Sequence, residues 1–432
     1  MREMKESHIP FCENIPINWS EIPNKYIFSC HSTKVGDKSS EYQLLSLTTS
    51  GVKEKSTTAS GGKVPTSYDG YQTVEIGDMI FCLFDLDCSA VFSGLSPYNG
   101  MITSAYDVLR ANPNRADNHF LEYWFQYVFS NRYYKMFSKN IRYTVTGEMF
   151  NSIYTPIPPI EEQKKIGSYL DKLCKKVDAL IANQEAQIEK LKAYKQSLIT
   201  EVVTKGIDPN VPMKDSGVEW IEKIPEGWNA VPLKTLFDFG KGLPITKENL
   251  VEEGIPVISY GQIHAKWNSG VTIHEELKRF VNKEYLETNP SCLVKKGDFI
   301  VADTSEDREG CGNAAYVDTD DTIFAGYHTV ILISKKPNVD NKYLAYLFLT
   351  DAWRSQLRKR VSGIKVFSVS RKFLSETSVL IPDNASKMVE LLDEKCSHID
   401  KLISIKQQKI ERLNQYKKSI IYEYVTGKKE VQ

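Results

Sequence analysis

The chain has 432 residues, 41% of them apolar and 25% charged, which suits a protein of two or three domains with sizeable cores. Basic and acidic residues number 55 each; a net charge of zero counts against a nucleic-acid binder, although balance over the whole chain leaves room for local basic patches. No run of about 18 apolar residues marks a membrane span, and the opening Met1-Arg2-Glu3-Met4-Lys5-Glu6 has no apolar signal core, so a cytoplasmic location and no membrane partner are expected.

Residues 1–157 read as a first globular α/β unit. Tyr42-Gln43-Leu44-Leu45-Ser46-Leu47 is strand-like, and Ser56 to Gly62 reads as an exposed loop. Gly77-Asp78-Met79-Ile80-Phe81 opens another strand, and Asn118 to Phe125 (NHFLEYWF) forms an aromatic helix late in the unit. Lys53, Arg110, Lys139, Arg142 and Tyr143 are its candidate DNA contacts. The physical reason is that Lys and Arg neutralise phosphates and also reach guanine edges.

Residues 158–212 hold a long helix. Pro158-Pro159 precedes it, and Gly206 with Pro209 follows, as start and stop signals should. From Ile166, apolar residues fall three and four apart at Leu170, Leu173, Val177, Leu180, Leu191 and Leu198, which is a coiled-coil seam. A helix from Pro159 to Thr204 spans roughly 65 Å at 1.5 Å per residue.

Residues 213–381 form a second α/β unit. Thr329-Val330-Ile331-Leu332-Ile333 is a strand, Asn268 to Val271 an exposed loop, and Asn341 to Phe348 (NKYLAYLF) a second late aromatic helix. Its candidate DNA contacts are Lys241, His264, Lys266, Arg308, His328, Arg360, Lys365 and Lys372. The stretch Arg354 to Lys372 carries seven basic residues and no acidic one, which suits phosphate contact. Residues 382–432 hold a second long helix, with its seam at Ile399, Leu402, Leu413 and Ile420.

The chain is written twice. Asp171 to Thr204, shifted by 222 residues, matches Asp393 to Thr426 at fifteen of 34 positions, among them Cys174/Cys396, Asp178/Asp400, Leu191/Leu413, Tyr194/Tyr416 and Glu201/Glu423. Gln184 and Lys406 place a polar break at the same point of both seams. Upstream, Ile15-Pro16-Ile17-Asn18-Trp19 returns as Ile224-Pro225-Glu226-Gly227-Trp228, and the Gly-Asp strand start at Gly77 returns at Gly297. One such helix alone would read as a dimerisation helix; two matched copies favour pairing within the chain.

Motifs of catalysis are missing. There is no GxxxxGK[ST] phosphate loop and no HxxxH or HExxH pair, and Asn289-Pro290-Ser291-Cys292 lacks the second proline and aromatic residue of an amino-methyltransferase motif. Asp303, Glu306 and Asp307 read as a solvated loop. The eight cysteines form no CxxC pair, and buried free thiols are expected, with Cys82 and Cys292 in strands and Cys174 and Cys396 in helices.

Ile157-Pro158-Pro159-Ile160-Glu161-Glu162-Gln163-Lys164-Lys165-Ile166 is similar to the proline-proline-x-x-E-Q start of the first conserved helix in specificity subunits of Type I restriction-modification systems. Asp215-Ser216-Gly217-Val218-Glu219-Trp220, leading to Ile224-Pro225-Glu226-Gly227-Trp228, resembles that family's opening of a second recognition domain. Gly100-Met101-Ile102-Thr103-Ser104-Ala105-Tyr106-Asp107-Val108-Leu109-Arg110 and the two Gly-Asp strand starts resemble its recognition-domain motifs. The second helix departs from the pattern, beginning Ile381-Pro382-Asp383-Asn384-Ala385-Ser386, so its start stays open.

The resemblance implies two α/β (α+β) target-recognition domains, 1–157 and 213–381, joined by two conserved helical spacers, 158–212 and 382–432, that pair as an antiparallel coiled coil in a pseudo-twofold repeat. Each domain would read one half of a bipartite site in double-stranded DNA. The chain would be non-catalytic, with no cofactor of its own. Two modification subunits would bring S-adenosylmethionine and methyltransfer, and restriction subunits would bring ATP- and magnesium-dependent cleavage. The competing reading is a coiled-coil scaffold that reads no DNA; an orphan nuclease fits worse, for want of motifs.

Overall fold

The computed structural model describes residues 2–30, 32–56, 67–335, 341–361, 363 and 366–431. It divides into two compact units, Met1–Glu185 with Lys406–Gln432, and Ala186–Ile405. The first is assembled from two separate stretches of sequence and the second from one; each takes one globular part and a stretch of both long helices, Ile160–Lys205 and Ala385–Val425.

In the first unit, strands β1 (Phe28–Cys30), β2 (Met79–Phe81), β3 (Ser93–Leu95) and β4 (Asp107–Ala111) form an antiparallel sheet in the order β1-β4-β2-β3. Side chains alternate between its faces, as the pleat requires. Met79 and Phe81 enter one core with Phe120, Leu121, Trp124 and Phe125 of the aromatic helix Asn118–Ser130. Ile80 and Cys82 enter another with Leu45, Leu47 and Val52 of a hairpin. The strand expected from Tyr42 to Leu47 is observed as Leu45–Thr48. Most of the expected loop Ser56 to Gly62 lies outside the described residues.

The second unit repeats the frame. Strands β5 (Phe237–Lys241), β6 (Phe299–Ala302), β7 (Ala314–Tyr316) and β8 (Thr329–Ser334) are ordered β5-β8-β6-β7. Phe299 and Val301 face the helix Asn341–Phe348, and Ile300 and Ala302 face the opposite core. Behind that opposite face lies a second four-stranded sheet, in which Ile255–Ile258 and Ile323–Ala325 run parallel. Asn268 to Val271 is not the exposed loop expected from sequence. Gly270 is buried, and the Asn268 side-chain amide donates to the carbonyls of Ile263 and Ala314, pinning the segment down.

The motifs that recur in sequence have recurring structural jobs. Asn118 Nδ2 donates to the Gly77 carbonyl at 2.9 Å, and Asn341 Nδ2 donates to that of Gly297 at 2.8 Å, clipping each aromatic helix to its Gly-Asp turn. Tyr123 donates to Asp171 of its long helix at 2.9 Å, and Tyr346 to Asp393 at 2.6 Å. His119 Nδ1 lies 2.9 Å from the same Asp171 carboxylate, and Lys342 adds an ion pair to Asp393 at 2.7 Å. Each long helix ends at a left-handed glycine, Gly206 (φ +84°) and Gly427 (φ +68°), where a β-branched or larger residue would be strained. Gly206 lies against Pro225 and Trp228, and Gly427 against Pro16 and Trp19, so the repeated Ile-Pro-x-x-Trp segment is the seat of a helix end.

The long helices pair within each unit. In the first, Lys417 holds Asp178 at 2.7 Å; in the second, Lys195 holds Asp400 at 2.7 Å, the same pair with the helices exchanged. Of the expected seam, Val177, Ile399 and Ile420 are buried, and Leu173, Leu191, Leu198, Leu402 and Leu413 are half-buried. Leu180 is a correction: it is 47% exposed. The heptad steps from Val177 to the half-buried Ile181, then to Gln184 and Ile188, both 6% exposed, and three residues from Val177 is the wrong side of that stripe. All eight cysteines are free; six are buried as expected, but Cys30 and Cys88 are exposed, and neither Cys82, one residue past β2, nor Cys292, in a 3-10 turn, lies in a strand.

Candidate nucleic-acid interface

Among the described residues, five non-glycine residues have positive φ, and four of them lie at one end of the two central sheets: Asp85, Asn140, Tyr143 and His328. Asp, Asn and His adopt this region readily, but Tyr143 does so at a cost of about 1–3 kcal/mol that its surroundings must offset, a pattern that clusters at functional sites. This end follows the last residues of β2 and β6.

In the first unit it is built by a closed hairpin. Lys139 and Thr144 exchange both backbone hydrogen bonds, at 3.0 and 3.1 Å, and the Tyr143 amide donates to the Asn140 carbonyl at 3.1 Å. The Val145 amide donates to the Leu83 carbonyl at 2.8 Å and fixes the hairpin to the chain leaving β2. Lys135 lies 4.6 Å from the Tyr143 ring centre. Lys139 and Arg142 are exposed; Arg142 is 3.6 Å from Asp85, a pair open to solvent. Lys139, Arg142 and Tyr143 are thus brought together. Lys53 stands apart, exposed on the hairpin strand Gly51–Glu54.

Arg110 belongs to the opposite end of the sheet. Its Nε donates to buried Asp78 at 2.8 Å and its terminal nitrogen to Glu75 at 2.8 Å, and the Asp78 hydrogen bond raises its pKa further. In the second unit Asp298 occupies the place of Asp78 and accepts two backbone amides, Lys295 and Ser334. Burial raises the Asp298 pKa. Arg110 is therefore committed to locking a turn.

In the second unit the sheet end gathers Lys241, Asp303, Thr304, Tyr327 and His328. Lys241 closes β5 opposite Val330, two residues after His328. His328 Nδ1 lies 3.4 Å from the Thr304 hydroxyl and 3.6 Å from Asp303, with its ring edge-on to Tyr260 at 5.4 Å. His264 has both ring nitrogens in use: Nδ1 accepts from Asn313 Nδ2 at 3.0 Å, which leaves Nε2 to donate to the Thr304 carbonyl at 2.8 Å. Lys266 and Arg308 are exposed nearby in sequence. A cleft of about 590 Å³ beside them is lined by Tyr260, His264, Asn313 and Arg354, but also by Glu306, Asp307 and Glu309. Among the described residues no cluster of three His, Cys, Asp or Glu has the geometry to hold a metal ion.

The basic stretch divides in two. Arg354 Nε donates to the Phe348 carbonyl at 2.7 Å, and burial together with Arg358 brings its pKa down to about 10. Arg358 pairs with Asp351 and donates to the Glu309 carbonyl. Both are structural. Arg360 pairs with Glu376 at 3.0 Å in the open, and Lys372 is exposed on the helix Arg371–Glu376. Lys365 lies outside the described residues. The Val369 amide donates to the Asp303 carbonyl at 2.8 Å, the counterpart of Val145 and Leu83, so this stretch is stitched to the same sheet end as its equivalent in the first unit.

Residues 95–190 and 225–415, more than half of the chain, match the family described as the Type I restriction modification DNA specificity domain. The chain belongs to that family. It is 26% identical to the Type I restriction enzyme MjaVIII specificity subunit of Methanocaldococcus jannaschii over 288 residues, 66% of this chain and 64% of that protein. It is 24% identical to the putative type I restriction enzyme MjaX specificity subunit of the same organism over 335 residues, 74% of this chain and 70% of that one. The alignment thus spans just under two thirds of the first relative's length. A chain from a solved structure on complex assembly and conformational transition of the type I R-M system shares the fold, with a TM-score of 0.68 at 16% identity over 95% of this chain and 98% of that one.

The Glu162-Gln163 start of the first long helix has a physical basis here. Gln163 is fully buried; its Nε2 donates to the carbonyls of Arg115 and Pro158, and its Oε1 accepts from the Asp117 amide at 2.8 Å. It therefore joins the first long helix to the start of the aromatic helix, which Asp117 caps. The second long helix begins at Ala385 without such a residue. Sequence reasoning missed Tyr260, Asn313 and Ile141 at the sheet ends. Ile141 carried a signal, an apolar residue between cations, but nothing in the sequence separates that from a core position.

Proposed function

We propose that this chain is the DNA-recognition subunit of a Type I restriction-modification complex, each unit reading one half of an asymmetric, bipartite double-stranded site. Membership of the specificity-domain family supports the role. The carrying observation is the contrast between a frame that repeats its strand order, Asn clip and Tyr-to-Asp anchor and two sheet ends that share almost no chemistry: Leu83, Phe84 and the Lys139–Thr144 hairpin in one, and Asp303, Thr304 and His328 in the other. Different reading surfaces on one frame fit two unlike half-sites. The duplicated frame offers two equivalent seats for two modification subunits, which supply S-adenosylmethionine and methyltransfer; restriction subunits complete the nuclease. The long helices act as the spacer, and the chain itself neither methylates nor cleaves.

The test is methylation mapping of host DNA with and without this gene, paired with assays of the purified chain. The expected motif is two unlike short halves around an unspecified gap, with methyltransfer appearing only when a modification subunit and S-adenosylmethionine are added. A palindromic motif, or methyltransfer or cleavage by the chain alone, overturns the reading. Among the candidate contacts, loss of Arg142 or Lys139 is expected to weaken binding to all sequences alike and to reduce the salt slope by about 1 each, as phosphate contacts do.

A further inference from the structure

Ile141 is 93% exposed, more than any other large apolar side chain among the described residues; the next, Ile76, is 64% exposed. It is not a frayed loop residue. It sits at the tip of the closed hairpin, between Asn140 (φ +71°) and the Arg142–Tyr143 pair, with Tyr143 at φ +50°. The hairpin's reciprocal bonds, the Val145 anchor and the contact of Lys135 with the Tyr143 ring hold the tip in this strained form. Burying a side chain as large as isoleucine stabilises by about 1.5–3 kcal/mol, and here that potential is left unused in the free chain. Its neighbours Lys139 and Arg142 are exposed cations, so the tip presents one apolar group framed by positive charge.

A hairpin turn of this kind, closed by the single Lys139–Thr144 bridge, fits the major groove, about 12 Å wide, and not the minor groove of about 6 Å. In the major groove the apolar group on offer at a base edge is the C5-methyl of thymine. We infer that Ile141 is a specificity-determining residue that packs on the C5-methyl of one thymine in the half-site read by the first unit, with Lys139 and Arg142 holding the flanking phosphates. The inference rests on the DNA-recognition reading above.

The experiment uses the full chain with its modification subunit and a duplex bearing the mapped motif. Each thymine is replaced in turn by deoxyuridine, which removes only the methyl group, and Kd is measured for the unmodified protein and for Ile141→Ala. The expected result is one position where deoxyuridine weakens the unmodified protein by about fourfold, the worth of one buried methyl. At that position Ile141→Ala is weaker on the thymine duplex and indifferent to the replacement. The exposure of Ile141 leaves folding unaffected, which a matching melting temperature verifies. The inference is overturned if no position responds to deoxyuridine, if the variant responds as the unmodified protein does, or if the variant binds every sequence more weakly by the same factor. Absence of any sequence-specific binding by the unmodified complex instead overturns the DNA-recognition reading itself.

Discussion

At the end of the first sheet, Phe84 stacks with Tyr106 at 6.0 Å, and a closed hairpin exposes Ile141 between two cations. At the corresponding end of the second sheet Thr304 takes the place of Phe84 and Asp303 that of Leu83; His328, Tyr260 and His264 form a polar, hydrogen-bonded surface. Behind these ends the two frames keep the same strand order, the same Asn-to-carbonyl clip and the same Tyr-to-Asp anchor. The lesson is that the frame carries the constraint and the ends carry the difference: frame residues satisfy buried polar groups that cost free energy if left alone, while exposed end residues have water for a partner and are free to vary.

The sharpest way to break that comparison is at the two Gly-Asp turns. Asp78→Ala removes the buried acceptor of both the Glu75 amide and the Arg110 guanidinium and is expected to cost about 3 kcal/mol. Asp298→Ala orphans two backbone amides and is expected to cost about 2 kcal/mol. Denaturant unfolding that found Asp298→Ala the more damaging would mean that Arg110 is not what distinguishes the turns. A second break is at the helix starts. Gln163→Ala should cost about 2 kcal/mol, since it strips partners from one amide and two carbonyls inside the first unit. A negligible change would show that water replaces it.

Glu122 and Ala345 differ at matching positions of the aromatic helices. Burial raises the Glu122 pKa, with the Leu95 amide and His119 opposing and Asp171 adding to the rise. A carboxyl whose folded pKa is raised contributes stability that is present below its unfolded pKa, about 4.3, and is lost as pH rises through the folded value. Glu122→Gln should therefore gain on the unmodified protein as pH climbs from about 4 to 7, read as the difference in melting temperature between the two. A gap that stays constant over that range would rule out ionisation of Glu122 as its cause. The smallest effects belong to the exchanged ion pairs. Lys195→Ala and Lys417→Ala should each cost about 0.5 kcal/mol and match one another, because both pairs are partly open to solvent. Unequal losses would show that the two copies of the helix pairing are not energetically alike.

The duplication, the two long helices and most of the seam were legible in the sequence. Helical period is a local property: a stripe at three- and four-residue steps reports its own face, and glycine reports a stop, as Gly206 does. Leu180 slipped through because Leu180 and Ile181 both fit a local reading, and only packing selects between them. The candidate site was legible as composition and not as geometry. Lys139, Arg142 and Tyr143 do share one hairpin, but Arg110, Arg354 and His264 look in sequence like the same kind of residue and are bound to groups 32, 6 and 40 or more positions away. What the sequence by itself determined is the repeat and its helical stripe, because these follow from nearest neighbours along a backbone of fixed period. What only the tertiary structure decided is which cations are captured and which stand free, because a charge finds its partner only after distant strands have brought the two together, and because a side chain such as Ile141 is exposed only by virtue of where the hairpin beneath it has been fastened.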